Sequence, residues 1–198
     1  MSVTVFFVRH APHDQLGRVL CGRSPGVTLG EAGRGQAAAV AAHLAAEAIQ
    51  AVYSSPLDRA RETAGPIAAL TGATTEVSED LNEVNFGLWN GAAFEDLAAD
   101  PEWVRWNHER DTARPPGGES MGEVQARLRG WLCRMRVRHG GQRIAAVSHA
   151  DVIKAALADA LGLTLQRHDR FEISPASISV LVAGDWGAKV HSINEAPR

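Results

Sequence analysis

Val3 to Val8 form a nearly unbroken run of β-branched and aromatic residues, the pattern of a strand buried on both faces. The run breaks off at two polar side chains, Arg9-His10. Residues 30–50 are alanine-rich and predict a helix, and Ala-Val-Tyr-Ser-Ser at 51–55 predicts a second short strand. For the helix that follows, Ser55 suits the cap and Pro56 the first helical position. Asp58, three residues after Ser55, would meet the positive end of the helix dipole. Pro66 is expected to end or kink that helix. A further strand is expected at 74–79.

From 80 to 120 the periodicity is lost, and the turn cluster Arg-Pro-Pro-Gly-Gly-Glu-Ser occupies 114–120. Trp103 and Trp106, three apart, would share a helix face and pack the interior of this stretch. A helix is predicted from about Met121 to Arg138, stopping at Gly140-Gly141. A strand at 143–149 and a helix from Asp151 follow. A closing hairpin at 177–184 and 189–193 turns around Asp185-Trp186-Gly187. Strands alternating with helices predict an α/β fold, a three-layer αβα sandwich with a mostly parallel central sheet and an antiparallel edge from the last hairpin. We expect a single domain over 1–198, with an irregular lid-like insert at about 84–120.

Composition narrows this picture only modestly. Of 198 residues, 45% are hydrophobic and 22% charged, and the formal charge is -3. That balance gives no general pull toward nucleic acid or an acidic membrane. Arg9 interrupts the first apolar run too early for a membrane span, and no basic leader or small-residue cleavage site accompanies it. A cytoplasmic enzyme with its two cysteines, Cys21 and Cys133, reduced is the expectation. An edge strand would allow a homodimer.

The chemistry concentrates at strand ends. The first strand ends in Arg9-His10, the second leads into a helix bearing Arg59, and the strand at 143–149 ends in His149. Right-handed crossovers bring the C-termini of parallel strands to one edge of the sheet, where ligands of such folds bind. Singly, each residue is more often a surface ion pair or a satisfied polar side chain. Together, two imidazoles and two guanidiniums ask for an anion, because buried cations without one are costly. Phosphate fits, since guanidinium forks match its oxygens.

At these residues the chain resembles the histidine phosphatase superfamily, the phosphoglycerate mutase-like proteins. Val-Arg-His-Ala at 8–11 is similar to the family's Arg-His-Gly signature. Four further stretches resemble family motifs in the same order: Leu-Gly-Glu-Ala-Gly-Arg-Gly-Gln-Ala at 29–37, Ser-Ser-Pro-Leu-Asp-Arg-Ala-Arg-Glu-Thr-Ala at 54–64, Leu-Asn-Glu-Val-Asn-Phe-Gly-Leu-Trp-Asn-Gly at 81–91, and Val-Ser-His-Ala-Asp at 147–151. The resemblance implies a phosphoglycerate mutase-like fold and a phosphatase that hydrolyses a small-molecule phosphate monoester. In it His10 would be the nucleophile and Glu83 the proton donor. Arg9, Arg59 and His149 would hold the phosphoryl group, with Gly22 and Arg23 as further substrate contacts. It implies no cofactor and no metal.

The chain departs from the pattern in places. Ala11 and Ala150 stand for glycines, Gly30 for a threonine cap, and Asn90 for a frequent glutamate. The loop after His10 lacks the family's usual Ser/Thr and Asn arrangement, though His13 and Asp14 lie in it. Three rivals remain. A phosphomutase would need a longer insert after the acid. A non-catalytic phospho-ligand module would have no use for both His10 and Glu83. A metal hydrolase built on His10, His13, Asp14 and His149 lacks an accompanying acidic pair.

Overall fold

The computed structural model describes residues 1–197. Its spine is β1 (Val3–Arg9), where Val3, Val5, Phe6, Phe7 and Val8 are all buried. Alternation along this strand sends Val5 and Phe7 to one face of the sheet and Phe6 and Val8 to the other. Around it lie β2 (Ala51–Ser54), β3 (Thr74–Val77), β4 (Arg143–Ser148), β5 (Ile178–Gly184) and β6 (Gly187–Glu195), in the order β3-β2-β4-β1-β5-β6. The first four strands of that order run parallel, and β5 and β6 are antiparallel additions at one edge. The mostly parallel sheet with an antiparallel edge is as the sequence predicts.

Helices cover both faces. On one, α1 (Glu31–Ala45) and α2 (Asp58–Thr71) press Ala37, Val40, Ala41, Leu44, Ala60, Ala64 and Ile67 onto Phe6, Val8, Val52 and Val147. On the other, α5 (Met121–Arg138) and α6 (Ala150–Ala160) bury Leu128, Trp131, Val152 and Ile153 against Phe7, Tyr53 and Ile144. The predicted helix at 121–138 is found with those bounds. Ser120 caps it by accepting from the Glu123 amide, while Glu123 accepts from the Ser120 amide.

The expected start of α2 is displaced. The helix starts at Asp58 with Leu57 as cap, so Pro56 lies outside it, and Ser55 is turned to another use described below. Pro66 does not end it. The helix continues to Thr71 and closes at Gly72, whose φ of 69° gives the left-handed turn. The inward face of Ala60, Thr63, Ala64 and Ile67 holds it against the sheet on both sides of the proline.

The stretch after β3 contains more order than its sequence pattern suggests. Two short helices, α3 (Phe94–Ala98) and α4 (Pro101–His108), follow two 3-10 turns. Asp100 caps α4 through the Glu102 amide and also accepts from Trp89 Nε1 at 3.0 Å. Trp103 and Trp106 share a face as expected, and Trp106 is fully buried between Phe86 and Trp89. The Arg110 guanidinium lies 4.7 Å from the Trp106 ring centre and reaches Asp151 on α6 at 3.0 Å, latching this segment to the body. The loop at 18–22 is laced to the same segment: Leu20 N donates to Ala92 O, Gly91 N to Leu20 O, and Phe94 N to Arg18 O.

Candidate active site

Sheet register brings the strand ends together. β1 pairs with β4 so that Arg9 lies beside Ser148, and the His10 amide extends the ladder to Ser148 O. His10 and His149, each one residue past its strand, therefore sit side by side with ring centres 5.1 Å apart. The Ser55 amide, just past β2, donates to Val147 O, which carries the start of α2 and Arg59 to the same edge. His10, Arg59 and Glu83 line one cavity of about 400 Å³ with Arg9, His13, Leu16, Val19, Leu20, Cys21, Gly22, Phe94 and Pro175.

Hydrogen bonds define the state of each histidine. His10 Nδ1 lies 2.8 Å from the Ala11 carbonyl, an acceptor only, so Nδ1 carries the proton and Nε2 keeps its lone pair. His149 Nδ1 accepts from Arg59 Nη2 at 3.3 Å, and its Nε2 donates to Ser55 Oγ at 2.8 Å. Burial, together with Arg59 and Arg9, drives the His10 pKa well below the usual imidazole value. Burial, His10 and Arg59 do the same to His149. Both rings are neutral at ordinary pH.

Each guanidinium is fixed by one backbone carbonyl and left unpartnered at other nitrogens among the described residues. Arg9 Nη1 donates to Ile173 O at 2.7 Å, and Arg59 Nη2 to Gly22 O at 2.7 Å. Arg9 Nε, Arg59 Nε and Arg59 Nη1 are buried and meet no partner among the described residues. Such groups cost free energy unless an acceptor arrives. Gly22 thus touches the site by its carbonyl, which orients Arg59. Its φ is 47°, and a Cβ there would come 1.9 Å from Asn90 Oδ1, so only glycine fits.

Glu83 follows the 3-10 turn at Glu79–Leu81. Its carboxylate accepts from the Val84 amide at 2.9 Å, with the other oxygen 3.6 Å from His149 Nδ1. Burial and, after it, the Asp151 carboxylate lift its pKa to about 7, against the opposing pull of Arg59 and Arg9. Arg23 does not line the cavity. Its Nε donates to Glu83 O at 2.7 Å and its Nη2 pairs with Glu119 at 3.1 Å, so it braces the Glu83 main chain. Arg127 on α5 joins it, donating to Asn82 O at 2.8 Å.

Three contributors escape a reading of the sequence. Ser55, which suits a helix cap, instead accepts from His149 Nε2, whose proton is set by the donation of Arg59 to Nδ1. Thr63 Oγ1 accepts from the Ala11 amide at 3.0 Å and donates to Arg59 O at 2.7 Å, tying the segment after the nucleophile to α2. Asp151, in the first turn of α6, adds its charge to burial in raising the Glu83 pKa. The Ser-Ser pair and the Thr of the 54–64 motif were the available signals; for Asp151 there was none beyond its neighbour His149.

Residues 5–196 match the family described as "Histidine phosphatase superfamily (branch 1)". The chain belongs to the histidine phosphatase superfamily. Among its relatives, "Phosphoserine phosphatase 1" of Hydrogenobacter thermophilus is 33% identical over 183 residues, 90% of this chain and 86% of that protein. A "Bifunctional protein" of Mycobacterium tuberculosis is 36% identical over 170 residues, 84% of this chain; the match spans about half of that longer relative, 47%. The solved structure of a mycobacterial glucosyl-3-phosphoglycerate phosphatase superposes with a TM-score of 0.87 at 25% identity, covering 98% of this chain and 99% of that one. The superfamily's αβα sandwich is therefore the architecture of this histidine phosphatase.

Proposed function

We propose that this protein hydrolyses a small phosphate monoester in two steps, through a transient phosphohistidine on His10. One observation carries the reading: two arginines with three buried guanidinium nitrogens that meet no partner among the described residues line one cavity with a neutral histidine whose free nitrogen is Nε2. In the first step the Nε2 lone pair forms a bond to phosphorus as the ester P–O bond breaks. The leaving alkoxide takes a proton from Glu83, which a pKa of about 7 keeps largely protonated in mildly acidic solution and about half protonated at neutrality. Arg9 and Arg59 bind the phosphoryl oxygens and stabilise the charge spread over them in the transition state, while neutral His149, held by Arg59 and Ser55, packs beside the His10 ring. In the second step a water gives its proton to the Glu83 carboxylate, bonds to phosphorus, and the N–P bond breaks.

Hydrolysis is favoured over phosphoryl exchange between isomers by the two relatives named as phosphatases. Outside the cage of charge the cavity wall is largely apolar, with Leu16, Val19, Leu20, Phe94 and Pro175. Purified protein with excess EDTA and no added bisphosphoglycerate is expected to release phosphate from p-nitrophenyl phosphate. His10→Ala should lose at least a thousandfold in kcat/KM, in keeping with removal of a covalent nucleophile. Wild-type protein quenched during turnover should carry an acid-labile, alkali-stable phosphoryl group that His10→Ala lacks. Movement of phosphate between isomers with none released would make it a phosphomutase instead.

A further inference from the structure

His13 lines the cavity beside His10 and belongs to none of the steps above. Its side chain is 8% exposed, and its Nδ1 is buried without a partner among the described residues. The ring stacks on His10, centres 5.5 Å apart and planes 28° apart, and lines the same cavity as Arg9 and Arg59. A buried imidazole nitrogen left unpaired costs roughly 1–3 kcal/mol of desolvation. A core residue that merely filled space would be apolar.

The backbone around His13 is fixed before any ligand arrives. Thr63 holds the Ala11 amide. The Pro12 carbonyl rests on the first turn of α1, so close that a Cβ on Gly33 would come within 2.0 Å of it. The His13 carbonyl accepts from the Leu16 amide at 3.0 Å, closing a turn. Proline at 12 and glycine at 33 thus present the ring at a set height above His10. Placement of this kind suits a group that must meet a ligand without rearranging.

We infer that His13 is a substrate-contacting residue that donates a hydrogen bond to the phosphoryl group bound above His10, completing the anion cage with Arg9 and Arg59. This rests on the phosphatase reading. It extends that reading by giving the loop after the signature a recognition role that its unusual sequence conceals. A neutral imidazole serves, because it carries one N–H. Burial with Arg59 and Arg9 beside it lowers the His13 pKa to about 4, against a weaker opposite effect of Asp14, so the neutral ring is the working form at ordinary pH. As a neutral donor it adds a contact without adding a third fixed positive charge to a crowded site.

The test separates donation from packing. His13→Phe keeps an aromatic ring to stack on His10 and removes the donor, whereas His13→Asn and His13→Gln keep an N–H near Nδ1 or Nε2. Competitive inhibition by inorganic phosphate should weaken about tenfold or more in His13→Phe, the loss expected for one hydrogen bond to a charged group. One of the two amide variants should stay within about threefold of wild type. Phosphate binding by His13→Phe as tight as wild type, or amide variants no better than Phe, would overturn the inference. In wild-type protein, a phosphate titration followed by 15N NMR should shift the His13 ring signals, assigned by their loss in His13→Gln. An unmoved signal is equally fatal, and the titration itself is read on wild-type protein. Because it measures binding, it stands apart from the phosphohistidine assay. A missing His10 adduct would sink the phosphatase reading and leave the His13 result to be read by itself.

Discussion

Glu83 sits where opposing fields meet: burial and Asp151 favour its proton, while Arg59, Arg9 and the Val84 amide favour its release. Because a general acid works only when protonated, kcat/KM should fall as pH rises through about 7, by tenfold per unit beyond it. His10 must be unprotonated to attack, and its depressed pKa moves that requirement well below 6.5. The enzyme's own groups therefore limit the alkaline side first. Asp151→Asn removes a charge that raises Glu83, so the alkaline limb should move to lower pH; an unmoved limb in a pH–rate profile would contradict this. Burial opposes ionisation of Asp151 itself, but Arg110, His168 and Lys154 together outweigh it and hold the carboxyl below its usual value. Arg9, His10, Arg59 and His149 were legible because each terminates or follows a strand and lies in a recognisable motif. Asp151 and Thr63 were not, since their effects pass through space to residues 68 and 52 positions away.

Among the elements, α2 shows what local pattern reading misses. Pro66 removes one i to i−4 hydrogen bond, a penalty of about 3 kcal/mol in an isolated helix. A buried face on either side of it is a tertiary contribution that no local rule contains. The helix start was misplaced because Ser55, a good cap in isolation, is claimed by His149. The same element predicts a stability effect. Thr63→Val keeps the shape but leaves the buried Ala11 amide without an acceptor. We expect it to cost about 1–3 kcal/mol in urea denaturation, with kcat reduced more than KM is raised, since the segment it releases carries the nucleophile.

For the molecule as a whole, two apolar layers share one sheet, and β1 contributes to both. Trp89, Trp103, Trp106 and Trp131 all lie on the α5–α6 side, so intrinsic fluorescence reports chiefly on that layer, whereas far-UV circular dichroism reports on every element. With β1 common to both layers, the two signals should trace a single coincident urea transition. A fluorescence change preceding the dichroism change would mean that the segment carrying Trp103 and Trp106 unfolds by itself. Layer order and sheet direction were readable from alternating periodicities. The two helices inside the stretch after β3 were hidden by their brevity and by the turn residues that follow them. One feature of that stretch bears on how such enzymes diversify. The lacing of residues 18–22 to 91–94 welds two remote pieces of sequence into a single wall of the cavity. Transplanting either piece alone from a relative would leave mismatched backbone donors and acceptors, so a swap of substrate preference should succeed only when both travel as one cassette.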